Sequence, residues 1–317
     1  MRTSALVLSL CALIPAGLSA QHAHHAAAAP SRSVATVLGA PAAKTHTKTP
    51  ARKAANVVTV VTNEYAFEAP ASIPAGPTTF RLVNKGKELH HVWIVRLDQG
   101  KTAQEYMQAL QAAAKGEAPP PVWATDMGGP QQGMPGALAD ATVNLTAGNY
   151  LIVCHIPSPD GVPHLAKGMF KPLTVTATAA PAAAGPKADV TMALRDYDFV
   201  LSTPLTAGRH TVRIVNEAEQ FHEVFIVRLL PGKTAKEALA WVEAGMKGPP
   251  PMMLVGGSSG LSTGRDVEFT ADFTAGEYAL LCFLPDMKDG KPHVAHGMVK
   301  QITVAAAAGA KPKATTR

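Results

Sequence analysis

Four residues of types that bind soft or borderline metal ions recur twice, in one order, along the 317-residue chain: His90, Cys154, His164 and Met169, then His222, Cys282, His293 and Met298. In both sets four residues separate the second histidine from the methionine. Two imidazoles, a thiolate and a thioether suit copper in both of its common oxidation states, so such a set supports a low-cost one-electron change. A cysteine taken alone reads equally well as a small buried apolar residue. Its recurrence beside matched histidines and a methionine favours a ligand. The third cysteine, Cys11, falls in a leading segment expected to be removed, which leaves one thiol per set. An exported fold held by disulfides would instead place a pair in each domain.

The stretches around these residues repeat. TFRLVNKGKELHHVWIVRL, from Thr79 to Leu97, matches TVRIVNEAEQFHEVFIVRL, from Thr211 to Leu229, without a gap. That register sets His90 against His222 and His91 against Glu223. GKTAQEYMQAL answers GKTAKEALAWV, and Thr102 with Glu105 and Thr234 with Glu237 form capping boxes that predict a short helix in each copy. Proline runs at 119–121 and 249–251 correspond, as do Tyr150–Met169 and Tyr278–Met298. The remaining segments alternate apolar and polar residues, are rich in Val, Ile, Thr, Phe and Tyr, and break at Gly, Pro or Asn, which predicts strands. The expected fold is all-β: two antiparallel Greek-key β-sandwich domains, residues 56–177 and 188–304, each with a short helical insertion. Strand alternation places Tyr150, Ile152 and Cys154 on one inward face. His91 and His155 lack histidine counterparts, since Glu223 and Phe283 stand there, and His296 faces Lys167. These three are read as surface residues or as neighbours of the ligands.

Outside the two copies the composition changes. Arg2, the apolar run Ala5–Ile14 and small residues ending at Ala20 have the layout of a secretory signal, residues 1–20. A periplasmic or secreted location follows, with no transmembrane segment after cleavage. Residues 21–55, 178–187 and 305–317 are rich in Ala, Pro, Thr and Lys and predict a disordered spacer, a linker and a disordered tail. With Arg2 of the signal, ten of the 29 basic residues lie outside the two copies, where there is no acid. Removing those ten from 29 leaves 19 basic against 23 acidic residues, a net of −4 for the two copies. The folded part therefore gives no electrostatic case for nucleic acid.

On VNKGKELHHV and VNEAEQFHEV, AGNYLIVC and AGEYALLC, and PHLAKGM and PHVAHGM, each copy resembles a cupredoxin of the plastocyanin and azurin superfamily. The resemblance implies one type-1-like copper per domain, held by His90, Cys154, His164 and Met169 in the first and by His222, Cys282, His293 and Met298 in the second. It also implies a redox partner protein, or a copper donor or acceptor. One departure from the family stands out. Two to four residues usually separate the cysteine from the second histidine, against nine (155–163) and ten (283–292) here. Closing the longer loop costs only about 1.3 kcal/mol, but it threatens the rigidity of the site. Three functions stay open: a single-electron carrier, a copper-handling or storage protein, and a metal-free cupredoxin-like binding module. An enzyme is not expected. Neither copy contains a His-x-His pair or a His-Glu-x-x-His motif.

Overall fold

A computed structural model describes residues 55–131, 133–178 and 185–307. The expected signal peptide, the spacer up to residue 54, most of the linker and the tail from residue 308 lie outside the described residues. The fold is mostly β. In the first half the order is β1 (Asn56–Asn63), β2 (Ala66–Glu68), β3 (Ser72–Pro74), β4 (Gly76–Asn84), β5 (Trp93–Leu97), α1 (Ala103–Ala114), β6 (Ala124–Asp126), β7 (Leu138–Leu145), β8 (Gly148–Val153) and β9 (Phe170–Thr176). The second half has β10 (Val190–Arg195), β11 (Asp198–Leu201), β12 (Gly208–Asn216), β13 (His222–Leu229), α2 (Ala235–Glu243), β14 (Met252–Leu261), β15 (Asp266–Phe273), β16 (Gly276–Leu281) and β17 (Val299–Val304). Both predicted capping boxes form, with Thr102 and Thr234 each accepting from the N–H of the glutamate three residues on.

Where a strand has one wet face the sequence alternates, and β1 (NVVTVVTN) buries alternate residues. The alternation expected for Tyr150 to Cys154 is not observed as burial, because all five are buried. The second half shows the cause. Ala235 and Ala238 of α2 pack with Phe225, Val227 and Leu229 of β13 and with Ala279 and Leu281 of β16 in a separate apolar cluster on the far face of that sheet. The helix thus roofs strands that would otherwise face water. No helix among the described residues is long and apolar enough to cross a membrane.

One sheet runs β3-β9-β8-β5-β6 and another β14-β13-β16-β17, while a third, β11-β10-β12-β15-β7-β4-β1-β2, continues through both halves. The expectation of wholly antiparallel sheets needs correction. β1 with β4, β10 with β12 and β3 with β9 are parallel. Between β1 and β4 the chain visits the other sheet at β3, so β4 re-enters in the direction of β1.

The halves meet along two lines. Thr142 of β7 pairs with Glu268 of β15. Met127 and Pro130 bridge Leu261 and Ser258 of β14. Here the Gly128 N–H donates to the Gly260 carbonyl at 2.9 Å, and the Ser259 N–H donates to that of Gly129 at 3.1 Å. One contiguous cluster of buried apolar side chains draws on both halves. Gly260 lets the Trp93 indole lie flat on the seam, since a Cβ there would stand 2.0 Å from the ring. Gly260→Ala is expected to cost about 1–3 kcal/mol of unfolding free energy through overpacking, measured by chemical denaturation.

The same seam holds Asp126. Trp93 Nε1–H donates to its carboxylate at 2.9 Å, and its own N–H donates to Ser262 Oγ at 2.9 Å. Burial pushes the carboxyl from 3.8 up to about 7, against the pull of Trp93 and Ser262. A raised carboxyl favours folding below its unfolded pKa and loses that contribution as pH rises through the folded value. Asp126→Asn, which has no such proton to lose, is therefore expected to gain in Tm relative to the parent at pH 8 and to match it near pH 4.

Candidate metal centres

A buried asparagine anchors the approach to each first histidine. Asn84 Nδ2 donates to the carbonyls of Glu88 (2.8 Å) and Gly133 (2.9 Å), and its Oδ1 accepts from the Gly86 N–H at 2.8 Å. Asn216 does the same with Gln220 (2.9 Å), Leu261 (2.7 Å) and Ala218 (2.9 Å). The Val-Asn pair shared by the copies thus clamps the turn that delivers His90 and His222.

The long segments after the cysteines fold back as hairpins. Pro157 bridges Pro163, and the His164 N–H donates to the Ile156 carbonyl at 2.9 Å. In the second half Pro285 bridges Pro292, and the His293 N–H reaches the Leu284 carbonyl at 2.8 Å. The extra residues are tied off at the base of each hairpin, so the length that threatened rigidity leaves the ligands adjacent. Pro163 and Pro292 then start single 3₁₀ turns, His164–Lys167 and His293–His296, which end at Gly168 and Gly297 with φ of 98° and 92°. That left-handed exit suits glycine. It returns the chain so that the Met169 N–H donates to the His164 carbonyl (2.9 Å) while the Cys154 N–H donates to the Met169 carbonyl (3.3 Å). Met298, His293 and Cys282 repeat these bonds at 3.0 and 3.3 Å.

His90, Cys154 and His164 come together with their donor atoms within 4.8 Å of one another, as do His222, Cys282 and His293, and all six side chains are buried. Cys154 Sγ lies 3.4 Å from His164 Nδ1, and the two Nδ1 atoms of His90 and His164 are 3.1 Å apart. In the second pocket Cys282 Sγ is 3.3 Å from His293 Nδ1 and 3.8 Å from His222 Nδ1. Met169 and Met298 are fully buried and tied to these groups through their backbones.

Carboxylates on the outer ring nitrogens determine the tautomers. His164 Nε2 meets Glu88 Oε2 at 2.7 Å, and His222 Nε2 meets Asp196 Oδ1 at 2.9 Å. A carboxylate only accepts, so Nε2 carries the proton and each Nδ1 turns a bare lone pair toward the thiol. Burial and then the neighbouring His164 hold His90 down to about 4, and burial and then His222 do the same for His293. Burial lowers His164 and His222 as well, opposed by Glu88 and Asp196. Burial pushes the Cys154 thiol up to about 12 and raises that of Cys282. Neutral imidazoles converging on a thiol, with the Nδ1 atoms of His90 and His164 3.1 Å apart, fit a soft cation between them.

The pockets are not copies in their outer contacts. In the first, the carboxylate sits on the second histidine, and His90 Nε2 has no hydrogen-bond partner. In the second it sits on the first histidine, and His293 Nε2, likewise unpartnered, stands 3.9 Å from Asp286. Glu64, which corresponds to Asp196 but is one methylene longer, accepts from the Lys87 N–H instead. Tyr65 covers the His164 ring edge-on at 5.2 Å and donates to Glu88 at 3.2 Å, while Tyr197 covers His293 at 5.8 Å and donates to Asp286. These flanking groups escaped the sequence reading. Their signal was present as an acid-Tyr-x-Phe run in both copies, Glu64-Tyr65-Ala66-Phe67 and Asp196-Tyr197-Asp198-Phe199.

Of the two readings of His91, surface residue or neighbour of the pocket residues, its burial fits the second. Its Nε2 accepts the His155 N–H at 2.9 Å. His155 is half-buried, edge-on to Trp93 at 4.7 Å. His296 is exposed and reaches Asp289 at 3.1 Å, as Lys167 reaches Asp160 at 2.7 Å.

Solved structures similar to the chain include an auracyanin from the photosynthetic bacterium Roseiflexus castenholzii. It is 21% identical over 39% of this chain and 99% of its own, with a TM-score of 0.26. Auracyanin A, a "blue" copper protein from the green thermophilic photosynthetic bacterium Chloroflexus aurantiacus, is 19% identical over 38% and 98%, with a TM-score of 0.28. A copper nitrite reductase from Nitrosomonas europaea is 14% identical over 84% and 98%, with a TM-score of 0.23. No protein-family model matches the sequence, and no curated protein does. Overlaps of this extent carry no functional weight, which rests on the pockets themselves.

Proposed function

We propose that the chain is an exported copper-binding protein whose two type-1-like pockets each pass single electrons. Residues 56–177 and 188–304 are read as two cupredoxin-like Greek-key sandwiches, each supplying all the ligands of one pocket. His90, Cys154 and His164, with Met169 as the weaker ligand, would hold one copper, and His222, Cys282, His293 and Met298 the other. The observation that carries the reading is the pair of buried His-Cys-His groups with bare Nδ1 lone pairs facing a thiol. Copper so bound supplies a reversible one-electron change. The chain keeps water out, holds the imidazoles neutral and fixes the ring planes through Glu88 and Asp196. No second class of site, such as an oxidase or reductase needs to collect several electrons, is built into either ligand set, which favours a carrier over an enzyme. The test is a visible spectrum with metal analysis of the exported protein. An intense thiolate-to-copper band at up to one copper per pocket is expected. Bound copper without colour would favour handling or storage, and absence of copper would favour the bare scaffold.

Loading should release protons in a defined number. In the first pocket His90 is already neutral above about pH 4, whereas the Cys154 thiol loses its proton only near pH 12. Copper must displace that one proton, so affinity is expected to rise about tenfold per pH unit between pH 6 and 9. Competition with a chelator of known affinity checks the slope. A slope of two would mean that an imidazole is also protonated at rest.

A further inference from the structure

The residue after each first histidine, His91 or Glu223, serves its pocket twice. Its backbone N–H donates to the cysteine sulfur from Glu223 to Cys282 at 3.5 Å in the second half, and in the first half the His91 N–H pulls the Cys154 thiol down in the same way. Its side chain accepts the N–H of the residue after the cysteine, His155 to His91 Nε2 at 2.9 Å and Phe283 to Glu223 Oε1 at 3.1 Å. A backbone N–H only donates, so His91 must carry its ring proton on Nδ1. Gln131 is held beside that ring, since the Val92 N–H next to His91 donates to the carbonyl of Pro130 next to Gln131 at 3.2 Å, and its side chain acts on His91 as a hydrogen-bond partner. Gln131 Nε2 in turn donates to Glu223 Oε2 at 3.0 Å and to the Ser258 carbonyl at 3.1 Å. Its amide nitrogen is thereby committed, which leaves its carbonyl oxygen as the acceptor for His91.

We infer that His91, Gln131 and Glu223 form an electron path between the two cysteine sulfurs, across the seam between the halves. The inference rests on the copper reading above. The polarities are compatible throughout: Gln131 Nε2–H donates to Glu223 Oε2 and the Glu223 N–H to Cys282 Sγ, while His91, with its ring proton on Nδ1, has Gln131 Oε1 left as its acceptor and its own backbone beside Cys154. Between these hydrogen bonds the route is covalent. Electronic coupling decays less across bonds and hydrogen bonds than across an apolar gap, and Gln131 and Glu223 are buried, where a hydrogen bond is stronger than in water. One electron crosses, with copper in one pocket going from Cu(I) to Cu(II) and in the other from Cu(II) to Cu(I), while every hydrogen bond keeps its proton. A seam that served only to hold the halves together would need polar pairing, but not pairing that ends on both sulfurs.

The test uses the full chain loaded with copper and carrying Met298→Leu, which makes the two pockets unequal so that net transfer is visible. A fast pulse reduces a fraction of the sites, and the thiolate-to-copper bands are followed in time. The phase absent from a chain that also carries Cys282→Ser is exchange between pockets. With Gln131→Leu added, that phase is expected to slow about tenfold or more, equivalent to about 1.4 kcal/mol on the barrier, while both bands persist. Glu223→Leu cuts the same path from the other side and replaces Gln131→Leu if the latter does not fold. An unchanged exchange rate with both bands intact overturns the path. Absence of any thiolate-to-copper band overturns the copper reading instead. Nitrogen NMR of the metal-free chain probes the bridge independently of copper: a His91 ring proton on Nδ1 is expected, and one on Nε2 overturns the path whatever the metal.

Discussion

Cys154→Ser is expected to abolish the visible band of the first pocket and to leave that of the second at full intensity. The band needs a thiolate, and each pocket takes its histidines and cysteine from one half of the chain. A serine hydroxyl in the same buried place neither ionises at neutral pH nor donates soft electron density, so copper affinity falls with the colour. Cys282→Ser should produce the mirror result. Spectra and metal content of the two single variants, set beside the double variant, check this. If both bands disappeared with one substitution, the pockets would not be separate sites.

The second large effect concerns residues that are not ligands. Glu88→Gln is expected to weaken copper in the first pocket by about 10–100-fold, and Asp196→Asn in the second, the usual consequence of removing a carboxylate from a ligand histidine. Each carboxylate holds the proton on Nε2 and thereby presents Nδ1 bare to the pocket. An amide still bonds the ring but adds no negative charge behind it. The effects should not cross over, because Glu88 backs the second histidine of its pocket and Asp196 the first histidine of the other. Separate chelator competitions on Cys-to-Ser backgrounds, with only one pocket intact, measure each.

The residues that gather in the two pockets and the helix caps were legible because each depends on residues close in sequence or on a register that the repeat makes visible. Thr102 with Glu105 is local chemistry. His90 rather than His91 follows from its gapless match with His222. Three features were hidden for different reasons. The parallel pairing of β1 with β4 depends on which sheet the chain visits at β3, and strand composition does not encode that. Cover on the far face of β16 comes from α2, which lies beyond the reach of local periodicity. The role of Gln131 arises from contact between the halves, where it meets Glu223 of the other copy. A single copy read along its length contains no sign of that partner.

The hairpins that close at Pro157 with Pro163 and at Pro285 with Pro292 separate two properties that one loop usually carries together. Backbone bonds at the base set the spacing of cysteine and histidine, and the tips take no part in it. The tips already differ, Ser158-Pro159-Asp160-Gly161-Val162 in one half against Asp286-Met287-Lys288-Asp289-Gly290-Lys291 in the other. Val162 and Met287 stand out in solvent there. Beyond Ser158 and Asp286, whose side chains face the pockets, each tip can therefore be rewritten without moving the cysteine and histidine beneath it.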